Sequence, residues 1–267
     1  MPDIRILTSS DVLVLPLGPA GVLVDKPKGM SSFGVVKKVR WATGETRVGH
    51  AGTLDPMATG LLVVLVGREA TREQDRFMGL PKVYTATMRL GQTTPSADAE
   101  TPVDATRDAS GVTDADLAAL LPQFTGDITQ TPPVYSAIKV GGERLYKKAR
   151  RGETVDVPSR VVTVSELAIT GRRGDDVDLR MACSKGTYVR ALARDIGEAL
   201  GVGAHLVALR REAIGPVQAA EAFALDAFDA VRDLRDAATR DAAARDAARA
   251  AATQDAATQD AATRDAA

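Results

Sequence analysis

The chain has 267 residues, 45% hydrophobic and 26% charged, with a formal net charge of −1, which suits a globular protein of one large domain or two smaller ones. No apolar run approaches the roughly 20 residues that span a bilayer, and Met1 to Asp11 lack a basic region followed by an apolar one, so residence in the cytoplasm, away from membranes, is expected. A single cysteine, Cys183, excludes an internal disulfide and a cysteine-based metal cluster, and two histidines argue against a zinc site.

Residues 1 to 20 carry Asp, Pro and Gly breaks without sustained periodicity and are expected to form a variable or poorly ordered arm. Gly21–Val24 reads as a short strand, Asp25–Met30 as a turn. Ser31 or Ser32 then caps a helix whose apolar positions Phe33, Val36 and Val39 recur at helical spacing, with Gly44 as its stop. The stretch from Arg47 to Gly60 follows. Glycines 49, 52 and 60 permit positive φ, and Pro56 biases Asp55 towards an extended conformation. His50 and Asp55 thus sit on an open loop braced by a helix before it and by the apolar run Leu61–Val66, a buried strand, after it. By residue type alone, this is either turn chemistry with a structural histidine or a presented catalytic carboxylate.

Arg68 to Met78 reads as a short helix and Lys82–Leu90 as an alternating strand, in which Tyr84 is a core residue by strand propensity. Residues 92 to 112, rich in Thr, Asp, Ala and Pro, are expected to form an exposed loop. Thr113 caps a helix over Asp114–Leu121, and Gly126 lies in the turn beyond it. A basic group follows, Lys139, Arg144, Lys147, Lys148, Arg150 and Arg151, broken among acids only by Glu143; it suits either phosphate neutralisation or a solvated helix face. Val161–Ile169 and Val177–Cys183 read as strands joined by a turn over Gly171–Asp175. Ser184–Arg190 leads into a helix with Leu192, Ile196, Ala199 and Leu200 on one side and Gly201 as its stop, and His205–Gly215 is a last strand. Beyond Ala222 the chain repeats Thr-Gln-Asp-Ala-Ala at a period of five that fits neither a heptad nor a helical face. With few side chains larger than Ala to bury, a fraying helix or disordered tail is expected, and truncation after Ala222 is expected to leave the chemistry intact. The net charge is also an average: from residue 216 onward six Arg face ten Asp or Glu, whereas the first 215 residues hold 28 basic and 25 acidic groups.

The loop Gly49-His-Ala-Gly-Thr-Leu-Asp-Pro-Met-Ala-Thr-Gly-Leu-Leu62 resembles, at every fixed position, the G-H-x-G-T-L-D-P-x-A-x-G-x-L motif of the tRNA pseudouridine synthase B (TruB) family. Lys26-Pro-Lys-Gly-Met-Ser-Ser32 resembles its first motif and Gly186-Thr-Tyr-Val-Arg190 its third. Lys82-Val-Tyr84, Pro132–Lys139 and Leu209-Arg-Arg211 are similar to further family segments. The resemblance covers about Gly21 to Gly215. It implies an α+β pseudouridine-synthase fold, a central mixed and largely antiparallel sheet with flanking helices and an RNA-gripping insertion over about 131–155. Domain limits follow: an arm over 1–20, a catalytic domain over 21–215, and over 216–267 a short helix and Ala/Asp-rich tail without room for the PUA domain many members carry.

The implied reaction converts the T-loop uridine of tRNA, position 55, to pseudouridine by base flipping, with no cofactor or metal. Asp55 is the implied catalytic group, as nucleophile or as base on the ribose. Tyr84 stacks on the target base, His50 fills the vacated space, Tyr188 bounds the pocket and Leu209 packs on the nucleotide. Arg190 holds Asp55 ionised, since an unpaired buried charge costs several kcal/mol. The six basic residues from Lys139 to Arg151 contact the RNA backbone. Lys26 and Lys28 are read as structural. The expected partner is the tRNA T-arm, bound by a monomer needing no other protein. An RNA-binding or tRNA-folding protein with little catalysis is the alternative; an aspartate-nucleophile phosphotransferase lacks its Gly-rich phosphate loop and second acidic cluster.

Overall fold

The computed structural model describes residues 4–136, 139–140, 142–145, 151, 153 and 155–265. The strand expected near residue 21 is β2 (Ala20–Lys26), preceded by a short β1 (Arg5–Leu7). Helix α1 (Ser32–Thr43) starts where Ser31 Oγ accepts the Gly34 N–H and stops at Gly44, whose φ of 74° supplies the left-handed cap. After β3 (Val48–Ala51) and β4 (Thr59–Val66), the chain forms helices α2 (Arg68–Arg72) and α3 (Gln74–Gly79). Strand β5 (Lys82–Leu90) precedes a small ribbon, β6 (Gln92–Thr93) with β7 (Ala105–Thr106), and helix α4 (Asp114–Leu120), capped by Thr113. Next come β8 (Gly126–Gln130), the hairpin strands β9 (Lys139–Val140) and β10 (Glu143–Arg144), and the long pair β11 (Arg160–Arg173) and β12 (Asp176–Cys183). Helix α5 (Val189–Ala199), β13 (Ala204–Ile214), β14 (Val217–Gln218), β15 (Phe223–Ala224) and α6 (Ala227–Asp265) complete the chain.

The main sheet runs β1-β2-β4-β13-β5-β12-β11-β8, with β3, β14 and β15 on its margins. Its pairs are antiparallel except β1/β2, β4/β13 and β15/β2, which gives the mixed, largely antiparallel sheet expected. The two halves differ for a reason visible in their side chains. In β4, Leu62, Val64 and Val66 pack with α1 and the start of α6, while Leu61, Val63 and Leu65 pack with α2 and α3; covered on both faces, the strand is continuously apolar. In β5, Tyr84, Ala86, Met88 and Leu90 pack with α5, whereas Thr85, Thr87 and Arg89 are half-buried on the other face, so the strand alternates.

β4 and β13 meet in parallel at Gly60 and Arg211, and this contact needs glycine. Gly60 has φ +96°, and a Cβ there would lie 2.3 Å from the Arg211 carbonyl oxygen. Gly60→Ala is therefore expected to destabilise the protein by about 3 kcal/mol, the upper range for overpacking, because neither backbone can retreat. Chemical denaturation should show it as a lowered midpoint.

Five expectations change. The arm over 1–20 holds an edge strand, and Leu7 and Leu17 are buried in it. The single helix over 68–78 is two, divided at Glu73. The loop over 92–112 is not simply exposed: Ala97 O accepts from Leu206 N–H, Arg107 N–H donates to Gly91 O, and Ser96, Ala97, Asp98 and Ala109 are buried. Strand β11 continues to Arg173, leaving a tight turn at Gly174 and Asp175.

The last change concerns the C-terminal segment, where α6 is continuous from Ala227 to Asp265 instead of a short helix followed by a tail. Phe228 and Val231 pack into the α1 core, and Phe223 pairs with β2. Truncation after Ala222 removes all three and is expected to unfold this half of the sheet, which corrects the sequence-based expectation. Residues 241–250 are each exposed and none joins the core, so truncation after Arg240 is expected to leave thermal stability and activity unchanged within about twofold.

Candidate active site

Asp55 lies on the β3–β4 loop, which is tied down on both sides. Ser32 Oγ, at the start of α1, accepts the Leu54 N–H at 2.8 Å and donates to Leu54 O at 2.9 Å. Gly29 N–H donates to Pro56 O at 2.7 Å. Lys26 Nζ, on a fully buried side chain, donates to the carbonyls of Pro27 (2.9 Å), Met30 (2.6 Å) and Pro56 (3.3 Å). Lys26 is thus a structural residue, as expected. Burial lowers its pKa to about 8, against the opposing pull of the Asp55 and Glu100 carboxylates. Glu100 Oε1 accepts the Met57 N–H at 2.8 Å and closes the brace. The first motif's serine and lysine therefore act on the loop that carries Asp55.

The Asp55 carboxylate faces Arg190, whose Nε is 3.0 Å from Oδ2. The Nε–H has no aligned acceptor, so this is a charge contact rather than a directed hydrogen bond. Arg190 is 3% exposed and its other nitrogens are committed: Nη1 to Ser96 O (2.9 Å) and, at 3.4 Å, to Asp98 Oδ2; Nη2 to Tyr135 O (2.8 Å). Asp98 is itself 1% exposed, its Oδ1 accepting from Ser96 Oγ (2.5 Å) and Glu100 N–H (2.9 Å). One guanidinium thus serves two carboxylates. Burial raises the Asp55 pKa above the ordinary 3.8; Arg190 opposes the rise and Asp98 adds to it.

Asp55 opens into a cleft of about 590 Å³ whose lining includes Tyr84, Tyr188, Arg190 and Leu209. Four Lys and Arg side chains join them: Lys82, Arg160, Lys185 and Arg211. Arg211, 1% exposed, donates from Nε to Leu61 O (2.7 Å) and from Nη2 to Gly52 O (3.0 Å), bolting β13 to the loop. The Arg160 guanidinium lies 5.0 Å from the Tyr188 ring centroid. Burial raises the pKa of Tyr84 and lowers that of Lys82 to about 8.

Five of the expected site residues therefore converge, counting Asp55 itself. His50 does not line this cleft. It is half-buried on β3, opposite Val64, with Nδ1 buried and unpartnered, and burial and then Arg211 lower its pKa. Of the basic group, Lys139 and Arg144 pair across the β9–β10 hairpin. Arg151 is held by Glu143 and Glu153 at 2.6–2.8 Å, so part of its charge is already answered. Lys147, Lys148 and Arg150 lie outside the described residues.

Asp98 carries no sequence reading, and Arg211 stands in the family-like segment Leu209-Arg-Arg211 without an assigned role. Arg211 shares the inward parity of Leu209 on an alternating strand, a signal that was available; Asp98, in a Thr- and Ala-rich loop, gave none. Among the described residues no three His, Cys, Asp or Glu side chains are grouped to hold a metal ion. Among the described residues, no helix is long and apolar enough to cross a membrane.

The chain is 52% identical over 213 residues to the tRNA pseudouridine synthase B of Thermobifida fusca, covering 77% of this chain and 72% of that one. It is 51% identical over 202 residues to that of Corynebacterium glutamicum strain R, covering 74% and 68%. Among solved structures, a chain of a Cbf5-Nop10-Gar1 complex superposes with a TM-score of 0.58 at 31% identity, over 74% of this chain; the match spans half of that longer chain. The model of the tRNA pseudouridylate synthase B C-terminal domain matches residues 190–246, crossing the boundary expected near 215 and entering α6. The model of the N-terminal domain of the TruB family of pseudouridylate synthases matches residues 40–189, which include the Asp55 loop, Tyr84 and Tyr188, and the chain belongs to that family.

Proposed function

We propose that the protein is a tRNA pseudouridine synthase that isomerises the T-loop uridine at tRNA position 55. The observation that carries this reading is one carboxylate, Asp55, ion-paired to a buried arginine at the wall of a cleft large enough for a flipped base. The names of relatives about half identical over most of the chain support it. The target base is extruded from folded RNA at a cost of a few kcal/mol. Tyr84 stacks on it and returns about 1–3 kcal/mol, Tyr188 and Leu209 bound it, and His50 fills the space it leaves. Asp55, as nucleophile or as base on the ribose, assists rupture of the N-glycosidic bond; the uracil turns and rejoins through carbon. No cofactor enters. The basic side chains of the cleft and of the 131–155 segment answer the RNA phosphates, and the protein acts as a cytoplasmic monomer without a protein partner.

The test is position-mapped pseudouridine formation in an unmodified tRNA transcript. The expected result is one product, at the T-loop uridine. Tight RNA binding without product would favour an RNA-folding protein instead.

A further inference from the structure

Gln130 ends β8, immediately before the 131–155 segment, and is fully buried. Its carboxamide grips the backbone of a single residue 58 positions away: Oε1 accepts the Tyr188 N–H at 2.7 Å, and Nε2 donates to Tyr188 O at 3.1 Å. Tyr188 O also accepts the first helical bond of α5, from Leu192 N–H at 3.1 Å, and Tyr188 caps that helix without a side-chain hydrogen bond. The start of α5 is therefore fixed by Gln130. Arg160, the β11 residue registered opposite Gln130, holds the same tyrosine from its ring face and donates to Gly186 O. The two strand residues that flank the 131–155 segment thus both hold Tyr188, and Arg190 two residues on donates to Tyr135 O inside that segment.

A buried glutamine needs partners for its own sake, but both ends of this one are spent on one backbone unit next to the catalytic pair. We propose that Gln130 is a positioning residue: it sets the first turn of α5 and thereby places the Tyr188 ring and the Arg190 guanidinium against Asp55. The inference rests on reading the cleft as a pseudouridine synthase site. A misplacement of about 1 Å at reacting groups costs on the order of 100-fold in rate, while RNA contacts spread over the cleft and the 131–155 segment are little affected.

The experiment compares wild type, Gln130→Met, which keeps the volume and loses both hydrogen bonds, and Gln130→Glu, which keeps the acceptor for Tyr188 N–H. Each is assayed at a temperature where circular dichroism shows it fully folded, with kcat measured at saturating tRNA transcript and Kd for the transcript measured separately. Gln130→Met is expected to lose about 10- to 100-fold in kcat with Kd within about threefold of wild type, and Gln130→Glu to fall between the two. If Gln130→Met does not fold, Gln130→Glu carries the test with the same split between kcat and Kd. A kcat equal to wild type, or a loss shared equally by kcat and Kd, overturns the positioning role. Wild-type product in the same assay separates the two readings, since an inactive wild type overturns the function on which the role rests.

Discussion

Replacing Asp55 by Asn is expected to lower pseudouridine formation by roughly 10⁴-fold or more, the scale seen when a group that makes or receives a bond is removed. The protein should stay folded and keep its tRNA. Asn preserves shape and still meets Arg190, but cannot act as a nucleophile or a base. The sign of the stability change follows from burial. Asp55 has a folded pKa above its unfolded value, so the stability it confers is fully present below the unfolded pKa and is lost as pH rises through the folded one. At neutral pH the carboxylate is a partly desolvated charge answered by a guanidinium it shares with Asp98. The neutral amide escapes that cost, so the midpoint of thermal unfolding at pH 7 should be equal to or higher than that of wild type. Position-mapped product and a melting curve on one preparation check both halves. Product from Asp55→Asn at a tenth of the wild-type rate would remove Asp55 from the chemistry.

The open path of that loop was legible because its glycines and proline act locally, but by residue type alone turn chemistry and a catalytic carboxylate both fitted it, and the resemblance to the family motif is what singled out Asp55. The strand over Lys82–Leu90 was legible end to end for a similar reason, since one face meets α5 and the other stays open, which writes a period of two into the sequence. Asp98 was not. Its burial depends on Ala97 O meeting Leu206 N–H, more than a hundred residues on, and a loop rich in small polar residues carries no mark of that. Gln130 escaped notice because a glutamine closing a short strand looks solvated until Tyr188 is seen beside it. The helix α6 was underestimated because its composition lacks apolar bulk; its first turns borrow that from α1 through Phe228 and Val231, and alanine propensity extends the rest.

Removing Arg190 should cost more stability than any other single change in the cleft. Arg190→Leu leaves the buried Asp98 and the cleft-lining Asp55 without their shared cation, and frees the carbonyls of Ser96 and Tyr135. Breaking the buried Arg190–Asp98 pair costs about 3–5 kcal/mol, and Asp55, 35% exposed, adds less because solvent screens it. Arg190→Lys is not a conservative replacement, because one ammonium cannot reach acceptors that four diverging contacts now serve; it should recover part of the stability and little of the activity. Arg190 is the first of the influences holding the Asp55 pKa down against burial, so its loss lets that pKa rise further. Two consequences have fixed signs. Catalysis needs the carboxylate, so the acid limb of the pH–rate profile of Arg190→Lys should move to higher pH than in wild type. The stability deficit of Arg190→Leu should be greatest at neutral pH and shrink on acidification through the raised Asp55 pKa, because protonation removes the charge that the arginine no longer answers. Melting temperatures of wild type and Arg190→Leu from pH 8 down to the acid limb test this. A deficit that stays constant or widens as the pH falls would mean that Arg190 holds the fold through its two carbonyl contacts, and that the carboxylates of Asp55 and Asp98 do not need it.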